Sequence, residues 1–518
     1  MTNRNLLLFE TIFVLLILAS ILIIHQLRLP IFFRDYSIIF EGAHRMSLGQ
    51  IPMKDFGIPV GPIGFIVPTL FFEYFGPTWD ALLLSQLPQS TGLIISKWLI
   101  LRRLQLTMSL RCISVFLYAL FYVLALSHPW YNITALLLLQ LAFYFSMIQR
   151  NYSVMLAGIF AGLTVLTKQD FGAVAIILSS LMLLKFGFFD SKAVICGPKD
   201  LGLKPSKGLV ARFLLFYSLL VLTICLFIAY SGYENFFYWF NYGQDYQVHR
   251  FPKVTKLIIF GFALLAVSIW KNNFSIFVSA LFFLSSGLTS ATSGIGFTHN
   301  YWIGFFAIVT SELWKMDSKV RMLMVIIFVL PMLYKMQAAS KNVFFISEGI
   351  YLNEFEHYDF NYRKIITEFE QPESLYAFNT IGLPRETIKT IEELKLYAQE
   401  KFTEDDKIKV FNMSELTPIY SELGVKPPIG LPLWFHSKVI MFDKEVDKIS
   451  MLFRSNFFDL ILIQSTHENP ALVYEDLFNI LDNNPTYFLF KSIIASPINA
   501  AGKCENRCEG EIRIYKKR

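Results

Sequence analysis

Long apolar segments follow one another through the first two thirds of the chain. The first is Leu6–Leu27, long enough to cross a bilayer, which takes about 20 apolar residues. Others lie at about 81–101, 107–127, 131–149, 152–168, 171–188, 210–230, 256–271, 274–291, 299–315 and 321–338. This pattern predicts a polytopic α-helical membrane protein with about eleven transmembrane helices. Gly61–Gly76 is apolar too, but it is short and carries Pro62 and Pro68. If it crossed, the basic stretch Leu101–Arg111 would lie outside, against the positive-inside tendency, so it is expected as a re-entrant or interfacial helix.

Charge divides the chain at the same place. Residues 1–339 hold 13 Asp and Glu against 25 Lys and Arg, whereas residues 340–518 hold 27 against 21. The net charge of +6 is therefore a topological bias and not a footprint for nucleic acid. The long basic loop Asp190–Gly208 and the short Lys315–Arg321 both fall inside under this assignment. The outer face collects Asp35, Glu41, Asp55, Glu73, Asp80, Asp170, Glu234 and Asp245. Leu6–Leu27 is too long for the 7–15-residue core of a signal peptide and has no A-x-A-like site, so it reads as a retained helix.

An odd number of spans puts residues 340–518 outside as an extracytoplasmic α/β domain. Leu375–Phe378, Ile408–Phe411, Leu460–Gln464, Tyr487–Ile494 and Glu511–Tyr515 read as strands. Arg385–Lys401 and Val473–Leu481 read as helices, with Asp359–Phe369 a further candidate. Cys504 and Cys508 are placed to form a disulfide in an oxidising compartment, with two unpaired thiols the alternative. No GxxxxGK[ST], GxGxxG, HExxH, CxxC or GxSxG motif is present.

Five places carry groups suited to chemistry. Asp35 follows Arg34 just beyond the first span, where a carboxylate near a low-dielectric region is costly unless paired or hydrated. It is either functional or an interfacial acid paired with Arg34. Asp55 sits in a loop stiffened by Pro52, Pro59 and Pro62, where it can face a substrate or bond its own backbone. TKQDFG (Thr167–Gly172) offers Lys168 for a phosphate and Asp170 to orient it or meet a sugar hydroxyl; a snorkelling lysine is the alternative. Tyr233–Lys253 is dense in aromatic rings, which suit sugars or an interface belt, and it carries Asp245, His249 and Arg250. FTHNYW (Phe297–Trp302) adds His299 at an outer mouth.

The first span, the stretch RDYSIIFEGAHRMSLGQIPMKDFGIPVGP, the many-span body with LTKQDFG and the outer C-terminal domain together resemble the GT-C superfamily. These are polyprenyl-phosphate-sugar glycosyltransferases. The similarity is to the branch of aminoarabinose transferases, protein O-mannosyltransferases and Rgt-type lipopolysaccharide transferases. It implies a GT-C type catalytic domain over 1–339 in the inner (plasma) membrane, with the domain 340–518 outside it. It also implies catalysis by an acid just after the first span, here Asp35. The family often pairs two acids at this point. Here Arg34 and Tyr36 flank Asp35, so the pair is broken, and Asp55 is a better second acid than Glu41.

The implied reaction is a single displacement with inversion, from a polyprenyl-phosphate sugar to an acceptor lipid, glycan or protein. No cofactor and no metal are expected. Lys168 and Arg250 would receive the leaving phosphate, while Asp55, Asp170, Asp245, His249 and His299 would bind substrate. The rival reading is a transporter or flippase of lipid-linked sugars, which the many spans also fit. No two-half repeat is visible, and the acids lie at one face instead of at mid-membrane. A polymer ligase would favour a large loop between late spans, whereas the large domain here comes last.

Overall fold

The structure is a computed structural model of the chain. It describes residues 3–26, 34–58, 60–104, 106–124, 129–148, 150–188, 208–240, 251–293 and 299–315. It also describes scattered positions from 318 to 333, then 369–401, 408–433, 435, 440–464, 471–494 and 511–518. Helix α1 is Asn3–Gln26. The stretch after it that holds Asp35 and Asp55 begins as a helix, α2, Arg34–Ser47. It continues into a turn and the two-residue strand β1, Phe56–Gly57. Helix α3, Ile63–Phe75, has 13 residues and so is about 20 Å long, short of the roughly 30 Å hydrocarbon thickness. Both its ends meet parts of the chain expected on one side. The Gly61 N–H donates to the Thr167 carbonyl at 3.0 Å, and Gly76 packs against Tyr376.

The next expected span is bent. Helices α4 (Trp79–Leu84) and α5 (Gln86–Arg103) meet at Ser85. Pro88 has no N–H for the carbonyl four residues back, which breaks the ladder there. There follow α6 (Met108–Tyr118, extended by a wider turn over Ala119–Val123), α7 (Tyr131–Ser146), α8 (Asn151–Val165) and α9 (Gln169–Phe188). Then come α10 (Leu209–Ser231), the short α11 (Tyr233–Trp239), α12 (Phe251–Trp270) and α13 (Phe274–Ser293). A tight turn, Asn300–Phe305, leads into α14, Phe306–Trp314.

Among the described residues, Leu209–Ser231 and Phe274–Thr292 are helices long and apolar enough to cross a membrane. Their surroundings differ. Phe274–Thr292 is mostly buried in the bundle, whereas α10 turns Val210, Leu214, Leu226 and Tyr230 outward. Leu8, Leu16 and Ile23 of α1 are exposed in the same way. A soluble monomer rarely shows apolar strips of this length, and lipid is the solvent that suits them. Close packing of α8 on α10 uses small residues four apart. A Cβ at Gly158 would come within 2.4 Å of the Phe216 carbonyl, and one at Gly162 within 2.9 Å of Thr223. This spacing of small residues is common where helices meet in membranes.

The described C-terminal part is a mixed sheet with helices. Strand β2 (Phe369–Glu370) pairs with β3 (Leu383–Pro384), which leads into α15, Arg385–Lys401. Strand β4 (Val410–Met413) and the short α16 (Ile419–Glu422) come next. They are followed by β5 (Leu431–Pro432), α17 (Asp443–Arg454), β6 (Leu460–Gln464) and α18 (Ala471–Asp482). Strands β7 (Tyr487–Ile494) and β8 (Glu511–Lys517) complete it. The order is β4-β6-β8-β7, with β4 and β6 parallel and the other pairs antiparallel. All five residues of β6 are buried, as for a strand covered on both faces.

The expected strands at Leu460–Gln464 and Tyr487–Ile494 form over those residues, and helix Arg385–Lys401 likewise. Leu375–Phe378 is a correction, because it forms turns and not a strand. Its backbone is used elsewhere. The Ala377 carbonyl accepts from Trp79 N–H at 3.0 Å, and its N–H donates to Glu422 Oε2 at 2.7 Å. The expected helix Asp359–Phe369 lies outside the described residues but for Phe369, and Cys504 and Cys508 lie outside them entirely.

Candidate active site

The candidate site is assembled from two corners. The first is α2 and the turn after it. Asp35 is the second residue of α2. Ser37 through Arg45 are buried, with Ile38, Ile39, Phe40 and Ala43 among apolar neighbours. Glu41 and Arg45, one helical turn apart, form a buried ion pair, Arg45 Nε and Nη2 reaching Glu41 Oε1 at 2.8 and 2.6 Å. Asp55 lies at the end of the turn. Its Oδ2 accepts from Ile51 N–H at 2.7 Å, and its carbonyl accepts from Gly430 N–H at 2.6 Å. The Asp55 carboxylate is thus engaged in its own turn, the backbone-bonding alternative open from its sequence context.

Burial and the neighbouring Arg45 cation push His44 down to about 4, so it is neutral in the folded chain. Burial pushes Glu41 up, and Arg45 offsets only part of that. His44 binds a proton more readily unfolded than folded. Its contribution is therefore complete above about pH 6.5 and is lost as the pH falls from there towards about 4, at about 1.4 kcal/mol per pH unit. Thermal unfolding of detergent-solubilised protein at pH 7.5 and pH 5 should show a smaller acid loss in His44→Gln than in the wild type. Equal losses would show that His44 does not govern this window.

The second corner joins α8 to α9. Lys168 N–H donates to the Thr164 carbonyl at 2.8 Å as α8 ends, and Asp170 enters the first turn of α9. The buried Lys168 Nζ lies 3.4 Å from Asp170 Oδ2, 5.6 Å from the centre of the Tyr131 ring and 5.4 Å from that of Phe171. Asp170 Oδ2 also accepts from Thr292 Oγ1 at 2.6 Å. Phe171 packs on His299, with ring centres 5.5 Å apart. His299 is fully buried, and its Nδ1 lies 3.0 Å from Thr289 Oγ1. The Thr289 hydroxyl also reaches the Ser285 carbonyl at 3.0 Å and Tyr301 OH at 3.2 Å. The buried His299 Nε2 has no hydrogen-bond partner among the described residues.

The corners share one end of the bundle. Gly61 bonds Thr167, and Gln169 Nε2 donates to the Phe240 carbonyl at 2.8 Å. Trp239 lies against Gly57. Tyr238 OH reaches both oxygens of Glu445 at 2.8 and 2.9 Å, tying α11 to the C-terminal part. Lys168, Asp170 and His299 are thus brought together, and Asp35 and Asp55 belong to the neighbouring corner. Asp245, His249 and Arg250 lie outside the described residues. Among the described residues, no three His, Cys, Asp or Glu side chains gather as for a metal ion. Sequence reasoning missed Thr292 and Arg45. Only Arg45 had a signal, its four-residue spacing from Glu41.

A many-helix body, a helix just after the first one and a C-terminal α/β part seated on that helix make up the fold. ArnT from Cupriavidus metallidurans in the apo state has this fold, at TM-score 0.50 and 13% identity over 98% of this chain and 98% of that one. The crystal structure of the same protein bound to undecaprenyl phosphate gives TM-score 0.48 and 11% identity over 99% and 98% of the two chains. No protein-family model and no curated protein matches the chain.

Proposed function

We propose that the chain is an integral-membrane inverting glycosyltransferase, moving a sugar from a polyprenyl-phosphate donor to an extracytoplasmic acceptor. The observation that carries this reading is a GT-C fold spanning 98% of the chain, with α2 and the TKQDFG corner at one end. Polyprenyl phosphate is the class of lipid named for the ligand-bound ArnT structure, and we carry that class to this chain as part of the proposal. The proposed setting is the inner membrane with eleven spans. Residues 1–339 then form the catalytic domain, and residues 340–518 lie outside.

In this reading the acceptor hydroxyl attacks the anomeric carbon as the bond to the phosphate oxygen breaks. Asp35 takes the hydroxyl proton. The departing phosphate keeps the bonding electrons, and Lys168 and Arg250 stabilise its charge. Asp170 holds Lys168 in place at 3.4 Å. His299, whose Nε2 has no partner among the described residues, suits a sugar hydroxyl, which can both donate and accept. Asp55, Asp245 and His249 complete the proposed substrate contacts.

The test supplies purified protein with labelled undecaprenyl-phosphate hexoses and pentoses and follows release of the lipid phosphate. Transfer of label to a lipid, glycan or protein fraction supports a transferase. Movement of intact donor across vesicles without cleavage would make it a flippase. Lys168→Ala should raise the donor KM about 10–100-fold, the loss of a charge-assisted contact, and Lys168→Arg less. Unchanged donor dependence in both variants would return Lys168 to the role of interface anchor.

A further inference from the structure

The C-terminal part grips α2 at several successive points. Thr417 Oγ1 donates to the Ser37 carbonyl at 2.7 Å, two residues from Asp35. Two turns further on, Arg45 turns its guanidinium both ways. Nε and Nη2 hold Glu41, and Nη1 donates to the Pro428 carbonyl at 2.8 Å. Gln50 Nε2 donates to the Pro427 carbonyl at 2.9 Å. Beyond that, Gly430 N–H bonds the Asp55 carbonyl, Leu433 N–H bonds the Gly57 carbonyl at 2.8 Å, and β1 pairs in parallel with β5. The gripping stretch is itself rigid. Pro427 and Pro428 fix its backbone, and Asn412 of β4 holds its start through the Leu416 carbonyl at 3.0 Å. Glu415 N–H is fixed to Gln464 of β6 at 2.7 Å.

The chemistry of the grip is costly for a purely structural contact. Arg45 and Glu41 are each about 1% exposed, and a buried ion pair is seldom more stabilising than well-packed apolar side chains. Glu41 Oε2 and His44 Nδ1 are buried with no hydrogen-bond partner among the described residues. What the arrangement secures is position. A helix of 14 residues moves as a rod, so fixing Ser37, Arg45 and the turn after it fixes its first turn as well. We infer that residues 417–433 are a positioning clamp on α2, with Arg45 as the positioning residue at its centre. The clamp sets where Asp35 stands, which rests on the reading of Asp35 as the base.

The test uses the full chain in detergent micelles, with Thr417→Val, Thr417→Ser, Arg45→Lys and the wild type. Hydrogen exchange over residues 34–47 should quicken at least about tenfold in Thr417→Val and Arg45→Lys and return to the wild-type rate in Thr417→Ser. Size-exclusion elution should be unchanged. Exchange that stays at the wild-type rate in both variants overturns the clamp. With labelled undecaprenyl-phosphate sugar, Thr417→Val should lower kcat about 10²-fold at unchanged donor KM, the scale of a 1 Å misplacement. Placed in Asp35→Asn, the same substitution should cost nothing more. A full additional loss there overturns the positioning role. Faster exchange in a chain whose wild type turns over no donor upholds the clamp and removes the transferase reading.

Discussion

Asp35→Asn is expected to lower turnover about 10²–10⁴-fold, the usual cost of losing a general base. The amide keeps the shape of the side chain and cannot take the acceptor proton. Asp35 stands in the first turn of α2, the rod held by Thr417 and Arg45, so the substitution should leave the fold intact. The measurement is initial rate at saturating donor, with folding followed by size-exclusion elution. Asp55→Asn is the comparison. Its carboxylate already serves Ile51 N–H, so its loss should loosen the turn by about 1 kcal/mol and affect rate less. Near-wild-type turnover in Asp35→Asn would sink the assignment. An equal or larger loss in Asp55→Asn would move the base to that second carboxylate.

Gly61→Ala is expected to cost about 3 kcal/mol or more in stability. A Cβ at this position would stand 1.5 Å from the Leu166 carbonyl oxygen, 2.1 Å from its carbon and 2.8 Å from Thr167 N. All three are backbone atoms, so no side chain can swing aside. The Gly61 N–H also donates to Thr167, next to Lys168. The substitution must therefore part the two corners or deform the end of α8. Gly208→Ala is the control, since its nearest neighbour is Arg212 Nε at 4.0 Å. Thermal unfolding of both variants in the same detergent decides the matter. A Gly61→Ala midpoint equal to that of Gly208→Ala would mean the loops do not meet as described.

Apolar length made the helices of the body legible, because a membrane segment must satisfy its own backbone and be greasy on every side. Arg385–Lys401 and Leu460–Gln464 were legible for the matching reason, a clear period of 3.6 or a short apolar run between turn residues. Helix α2 was not. Gly42 makes Arg34–Ser47 look loop-like, yet it is there to admit Phe65, whose ring would sit 2.6 Å from a Cβ. Leu375–Phe378 misled for the opposite reason. Its apolar residues are buried, but its backbone bonds go to Trp79 and Glu422. Of the site, TKQDFG could be picked out because Lys and Asp between two apolar runs are rare. Its partner Thr292, and Thr289 beside His299, come from a distant helix and carry no local mark.

Strand β8 lies between β6 and β7 in the sheet but follows both along the chain. Until residues 511–517 emerge from the ribosome, β7 has no neighbour and β4 with β6 is a two-stranded ribbon, a marginal object in water. The segment that holds α2 hangs from that ribbon through Asn412 and Gln464. Biosynthesis therefore imposes an order on the molecule. The helices are made long before the scaffold that seats Asp35 is complete. A polypeptide released before residue 511 is expected to have its helices made and α2 unanchored.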